Sequence, residues 1–520
     1  MKRFLAMILS IMVVICSTMS AYAENTGTDQ LSQADSGAPN GTPPEMPEGG
    51  MPGGTPPEMP EGGMPGGTPP EKPEGGMPGG TPLEKPEGGM PGGPGGTPPD
   101  GAPGNGGGFG GSTPPGGRSA SFEYSAATEI TEAAEQTDQT FASETTDESA
   151  LIINTTDAVT LANPTVSKTG DSNGGDSCNF YGLNAALLVM GGSTTTITGG
   201  TIESSASGAN GVFSYGGNGG SNGADGDGTT VVISDTTITT TGDGSGGIMT
   251  TGGGTTYASD LTVTTSGRSS AAIRTDRGGG TVIADGGTYT SNGLGSPAIY
   301  STADITVKNA TLVSNLSEGV CIEGMNSITL ENCDMTANNT AMNGNASFLD
   351  TIMIYQSMSG DADSGESHFT MSGGSLTSLS GHMFHVTNTH AVITLYEVEL
   401  HNEGSDVLLS VCDDGWHGAT NTAELIADAQ ALSGTILVGD NSTLTLTLQY
   451  GSSFEGTISG EIVNAKGATV SNEIGNVSVI LDSTSTWTLT ADTYITSFEG
   501  DAANVIGNGY TLYVNGTAIN

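Results

Sequence analysis

Between residues 190 and 340 apolar side chains recur at every second position in short runs, and the runs repeat. Ile305-Thr-Val-Lys-Asn-Ala-Thr-Leu312 is restated 23 residues later as Ile328-Thr-Leu-Glu-Asn-Cys-Asp-Met335. A period of two places alternate residues on opposite faces of a strand. One apolar position falls at Ile202, Ile238, Val263, Tyr289, Leu312 and Met335. A second falls at Val212, Ile248, Ile273, Ile299 and Ile322. Both columns advance by 36, 25, 26 and 23 residues. No stretch of a dozen residues with helical period lies between the runs, so helices cannot join parallel strands here. The pattern predicts a solenoid in which each coil pairs strand on strand with the next. Roughly fifteen coils, at about 4.8 Å each, would make a rod on the order of 70 Å long. Asn292, Asn315 and Asn338 keep the same step and predict an asparagine ladder at a tight turn. The segment Glu129 to Gln139 reads as a short helix capping the N-terminal end.

Two stretches break the step. Residues 216–228, GGNGGSNGADGDG, and residues 339–366, containing Ser359-Gly-Asp-Ala-Asp-Ser-Gly-Glu366, are too long for a coil. Insertions in a solenoid become loops on one face, often the working face.

Upstream of the solenoid the pattern changes twice. Lys2 and Arg3, the apolar run Phe4–Cys16 and the small-x-small triplet Ala21-Tyr22-Ala23 read as a secretion signal over 1–23. That run is too short to span a bilayer, which needs about 20 apolar residues. No transmembrane segment is expected in the mature chain, and the expected location is secreted or cell-surface. From Gly41 a 13-residue unit repeats, GTPPEMPEGGMPG and variants. Proline fixes φ, glycine frees it, and little apolar surface offsets the ordering entropy. Residues 24–120 therefore read as a disordered Pro/Gly/Met-rich spacer and 121–520 as the solenoid domain.

Composition narrows the partners. Acidic residues number 56 and Lys plus Arg 11, a formal charge of −45. A polyanion such as nucleic acid needs a basic footprint and is excluded as a partner. Gly, at 84 of 520 residues, suits many turns between short strands. Removal of the signal leaves Cys178, Cys321, Cys333 and Cys412, read as buried free thiols in preference to disulfides.

The three-strand coils, the asparagine ladder and the phrase TVKNATLVSN…ITLENCDMTANN resemble the right-handed parallel β-helix of pectate-lyase-like proteins. The likeness covers roughly residues 150–520. Together with the signal and spacer, it is similar to secreted bacterial carbohydrate-binding and adhesin-like β-helix proteins. The resemblance implies the hand of the helix, in line with the right-handedness of parallel crossovers. It does not decide between lyases, hydrolases, adhesins and binding modules, which share the fold.

Several residues carry candidate chemistry. Arg268, Arg274 and Arg277 are half of the six basic residues of the solenoid. Alternation from a buried Ile273 turns Arg274 and Asp276 outward. Register then predicts an outer stripe of Phe213, Met249, Arg274, Tyr300 and Glu323. Tyr300 beside Arg274 and Glu323 has the makings of an acidic-sugar site, the ring stacking and the guanidinium taking a carboxylate. Pectate-lyase-like enzymes use an arginine base with calcium on aspartates. The resemblance thus implies Arg274 or Arg277 with Asp276 as catalytic candidates. The plainer reading is charge compensation, Arg268 over Asp243 and Arg274 near Glu323, and it is preferred because exposed ion pairs are common and weak. Asp225 and Asp227, and Asp361 and Asp363, put carboxylates two apart in glycine-rich loops, a start on a calcium site without the later Glu of a complete EF-hand. Asp413, Asp414 and Trp416 read as a sugar platform. Trp487 reads as core or end cap, and His382, His385 and His390 as surface strand residues. No nucleophile elbow, P-loop or HExxH motif occurs in a convincing context. The expected function is non-catalytic binding of polysaccharide or a host or cell surface, adhesin-like. The alternative is a calcium-dependent polysaccharide lyase or glycoside hydrolase acting on acidic glycans.

Overall fold

Stacked coils account for nearly all of the computed structural model, which describes residues 123–344, 346–357, 359–415 and 421–520. The secretion signal over 1–23, the spacer over 24–120 and the site residue Trp416 lie outside these. Each coil contributes one strand to a 15-stranded sheet and, over most of the helix, two to a 22-stranded sheet. Neighbouring strands in both sheets run parallel, and the chain forms a parallel β-helix. The opening phrase and its restatement lie directly over one another, Ile305 against Ile328, Val307 against Leu330 and Leu312 against Met335.

The first apolar column holds throughout. Ile202, Ile238, Val263, Tyr289, Leu312 and Met335 are consecutive partners and fully buried. The second holds from Val212 through Ile248 and Ile273 to Ile299, then slips. Ile299 lies beside Val320, not Ile322, which pairs with Ser301. The cause is turn length: eight residues separate Ser291 from Ile299, but six separate Ser314 from Val320. Ile322 remains in the same core. Each fully buried Ile or Val is worth roughly 1.5–3 kcal/mol, but only with a coil above and below to bury it. Trp487 is buried, stacked on Phe454 at 5.7 Å, with its indole N–H donating to Gly456 O at 3.1 Å.

The expected capping helix does not form. Residues 129–139 contain the end of strand Ala126–Ile130 and strand Ala134–Thr137, both paired with the next coil. Alternation in this stretch is weak because few of its side chains are buried, yet the coil below templates its backbone.

The asparagine ladder has bonded rungs: Asn315 Nδ2 donates to Asn292 Oδ1 at 2.7 Å, and Asn292 Nδ2 to Thr265 O. The left-handed turn lies at a different column. Asp138, Asn163, Asp235, Asp260, Asn309 and Asn332 all have φ between 51° and 53°. Asn163 and Asn309 each donate to a carboxylate of the coil above, Asp138 and Asp285. All four cysteines of the described residues are free and buried.

Candidate functional site

The outward residues of the 15-stranded sheet stack as alternation predicts, Phe213 beside Met249, Met249 beside Arg274 and Arg274 beside Tyr300. The stripe then runs to Cys321, because the two-residue slip displaces Glu323. It does not face solvent: Phe213, Met249, Arg274, Tyr300 and Cys321 are all buried. Segments outside the coil strands fold back over this face. Tyr181, at the end of helix Asp176–Tyr181, packs edge-to-face on Tyr215 at 5.9 Å, and Thr251 Oγ1 donates to Phe180 O at 2.7 Å. Alternation identifies which residues leave the core; it is blind to a second layer laid over them.

Under that layer the candidate catalytic groups are bound to one another. Arg274 donates to Asp276 Oδ2 through Nη2 at 2.5 Å and Nε at 3.1 Å, both side chains almost fully buried. Desolvation raises the Asp276 carboxyl to about 6, against the lowering pull of Arg274. The Arg274 guanidinium also lies 5.1 Å from the Tyr300 ring centre. Tyr300 turns its hydroxyl to Glu323 Oε2 at 2.6 Å, and Tyr355 donates to the same oxygen at 3.0 Å. Glu323 Oε1 accepts from Ser357 and Ser359 of the second insertion. A buried carboxylate that accepts four hydroxyls is satisfied, and here it anchors a loop. Arg277 donates to Asp361 through Nε at 3.0 Å and through Nη2, while its guanidinium covers the Phe180 ring at 4.3 Å. Arg268 meets Asp243 through its backbone N–H, at 2.8 Å, and sends its guanidinium to Asn343. The expected acidic-sugar stripe is thus a buried layer of packing and ion pairing.

The two insertions meet beside this layer and enclose an open cleft of about 390 Å³. Asn222 from the first insertion accepts from Gly278 N at 3.1 Å and donates to Asp363 of the second at 3.4 Å. Asn218 Nδ2 donates to Gly278 O at 2.8 Å. Glycines permit the close approach: a Cβ on Gly253 would lie 2.5 Å from Gly226 N, and φ there is +81°. Asp225, Asp304 and Asp363 supply carboxylates to the cleft, Asn222 and Asn326 amides, and Met325, 55% exposed, an apolar floor.

The four aspartates expected to hold calcium separate. Asp225 and Asp363 line the cleft. Asp227 accepts from Thr229 N and Oγ1 at 2.9 and 2.6 Å, and Asp361 holds Arg277. Among the described residues no three metal-ligating side chains gather into a group that could hold an ion. Asn222, Asp304 and Met325 were not singled out by sequence. The available signal was that Asp304, opening a strand, and Met325, at a coil turn, lie in the interval between the two insertions.

Asp413 and Asp414 lie elsewhere and do different things. Asp413 is exposed and accepts from Gly415 N at 2.7 Å. Asp414 is buried, accepts from Ser347 N at 2.9 Å, and has its carboxyl raised by burial to about 7. Beside it, His385 is fully buried and stacked on Phe348 at 4.6 Å. The surface assignment of His385 is therefore wrong: it occupies the stripe column beside Met353, and the second insertion covers it. His382 and His385 both bond Ser410 Oγ through Nδ1 at 2.8 Å. Burial holds both imidazoles neutral, lowering His382 to about 4 and His385 to about 3. His390 remains at the surface, between Glu366 and Glu424 at 3.3 and 3.2 Å. No family model, curated protein or solved structure matches the chain.

Proposed function

We propose that the protein is a secreted or cell-surface β-helix that binds polysaccharide without catalysis, and that the cleft between the two insertions takes the glycan. The observation that carries this reading is the lining. Carboxylates, amides, backbone groups of glycines and one exposed methionine converge there, the mix that bonds sugar hydroxyls and touches a sugar's apolar face. The formal charge of −45 disfavours acidic glycans, so neutral ones are the ligand class. A lyase would need a base near substrate. Arg274 and Asp276 are bound to each other under a covering layer, and Arg277 is engaged by Asp361. The signal-like pattern Lys2 to Ala23 supports export.

A glycan array probed with the secreted protein tests this. Neutral glycans should be retained, in calcium and in chelator alike. Replacing Asp304 and Asp363 together by Ala should weaken retention at least tenfold without lowering the melting temperature. Release of unsaturated product from polygalacturonate would replace the proposal with a lyase, and failure to retain any glycan would remove it.

A further inference from the structure

One face of the 22-stranded sheet is a lattice of small hydrogen-bonding side chains. Thr165, Thr201, Thr237, Thr262, Thr288 and Thr311 are consecutive partners, and all are exposed. Two residues on, Thr239, Thr264 and Thr290 form a second column, half-exposed. Two further on, Thr241, Ser266, Asn292 and Asn315 form a third, and their backbone N–H groups continue the coil-to-coil bonding. Rows lie about 4.8 Å apart and columns about 6.7 Å apart. From Thr237 to Asn315 no position in the three columns is charged; the single apolar one is Val313.

Three observations turn this face from ordinary strand composition into a surface with a specified partner. The first is charge. On a chain of formal charge −45, the lattice is neutral, while exposed Asp235, Asp260 and Asp285 stand along one rim and Asp243 beyond the other. The second is saturation. The backbone groups are used between coils, so no strand can add here. By contrast the threonine hydroxyls of the first two columns make no bond within the described residues. Inward threonines of the same coils do bond, Thr236 to Gly199 O and Thr265 to Ser270 O. The third is stiffness. β-Branched threonine has few χ1 rotamers, so its hydroxyls are ordered at little entropic cost on binding.

A protein partner needs a cluster of apolar, aromatic or arginine anchors, and the lattice offers only the half-buried Val313. A second copy of this chain would bring like charge against like. What remains is a flat, uncharged, hydroxyl-bearing surface with repeating units. We infer that the threonine lattice adsorbs to insoluble neutral polysaccharide. This site is separate from the cleft and shares only the ligand class with the preceding proposal.

The test is sedimentation of the secreted protein with microcrystalline cellulose and with chitin. Wild type should adsorb to at least one. The triple variant Thr239→Glu, Thr264→Glu, Thr290→Glu should bind at least tenfold more weakly. A matched triple on the neighbouring face, Thr198→Glu, Ser234→Glu, Ser259→Glu, stacks three glutamates equally and should adsorb like wild type, as should the cleft variant. If the lattice triple fails to fold, Thr264→Glu alone should weaken adsorption about threefold. Wild type left in the supernatant with both solids, unchanged adsorption of the folded lattice variant, or partition into growing ice instead of polysaccharide would each overturn the inference. Loss of array binding with adsorption intact would remove the cleft proposal alone.

Discussion

At the scale of single residues, burial sets the behaviour of the titratable groups. Asp414 has a carboxyl raised from 3.8 to about 7 by desolvation. A raised acid favours the folded state fully below the unfolded value, and that contribution is lost as pH rises to about 7. His382 and His385 run the other way: their contribution is full above 6.5 and is lost as pH falls. Asp414→Asn keeps the acceptor for Ser347 N and removes only the proton equilibrium. Relative to wild type, this variant should gain stability between pH 4 and pH 8, by up to about 4 kcal/mol at 1.36 kcal/mol per pKa unit. Denaturant melts across that range check it; parallel curves would show that Asp414 is solvated. Residue-level conformation was only partly legible. The ladder at Asn292 and Asn315 was read from spacing, but the left-handed turn belongs to Asn309 and Asn332, two residues before the paired positions Thr311 and Asp334. Both columns have the same step, and composition alone does not tell which one carries φ above zero.

At the scale of elements, the insertions decide what the coils present. Loop positions were legible from the broken step. That they fold over the stripe was not legible, because a two-residue period records only which side of a strand a residue takes. The same limit placed Glu323 beside Tyr300 by residue counting, when a turn two residues shorter moves it two positions along. Three of its four hydroxyl donors, Tyr355, Ser357 and Ser359, make Glu323 the anchor of that part of the second insertion. Glu323→Ala removes the acceptor these hydroxyls share, at roughly 1–3 kcal/mol for each buried bond left unmade. The expected result is rapid protease cleavage within 356–365 while strand content by circular dichroism stays unchanged. Cleavage as slow as in wild type would show that the Arg277–Asp361 pair holds the loop by itself.

For the whole molecule, stability follows from one device, a coil that cannot bury its own apolar face and uses its neighbour to do so. That device was the most legible feature of the chain, since two independent columns kept the same step through an insertion. The same stacking that aligns Ile202, Ile238 and Val263 inside aligns Thr201, Thr237 and Thr262 outside. Core and threonine face therefore share one register. Pairs of spin labels on exposed first-column positions measure that register directly. With one label at Cys in place of Thr311 and the other in place of Thr262, Thr237, Thr201 or Thr165, the separation should grow by about 4.8 Å per coil. Separations that ignore the number of intervening coils, or that stay constant along the series, would contradict the stacked β-helix and everything built on it.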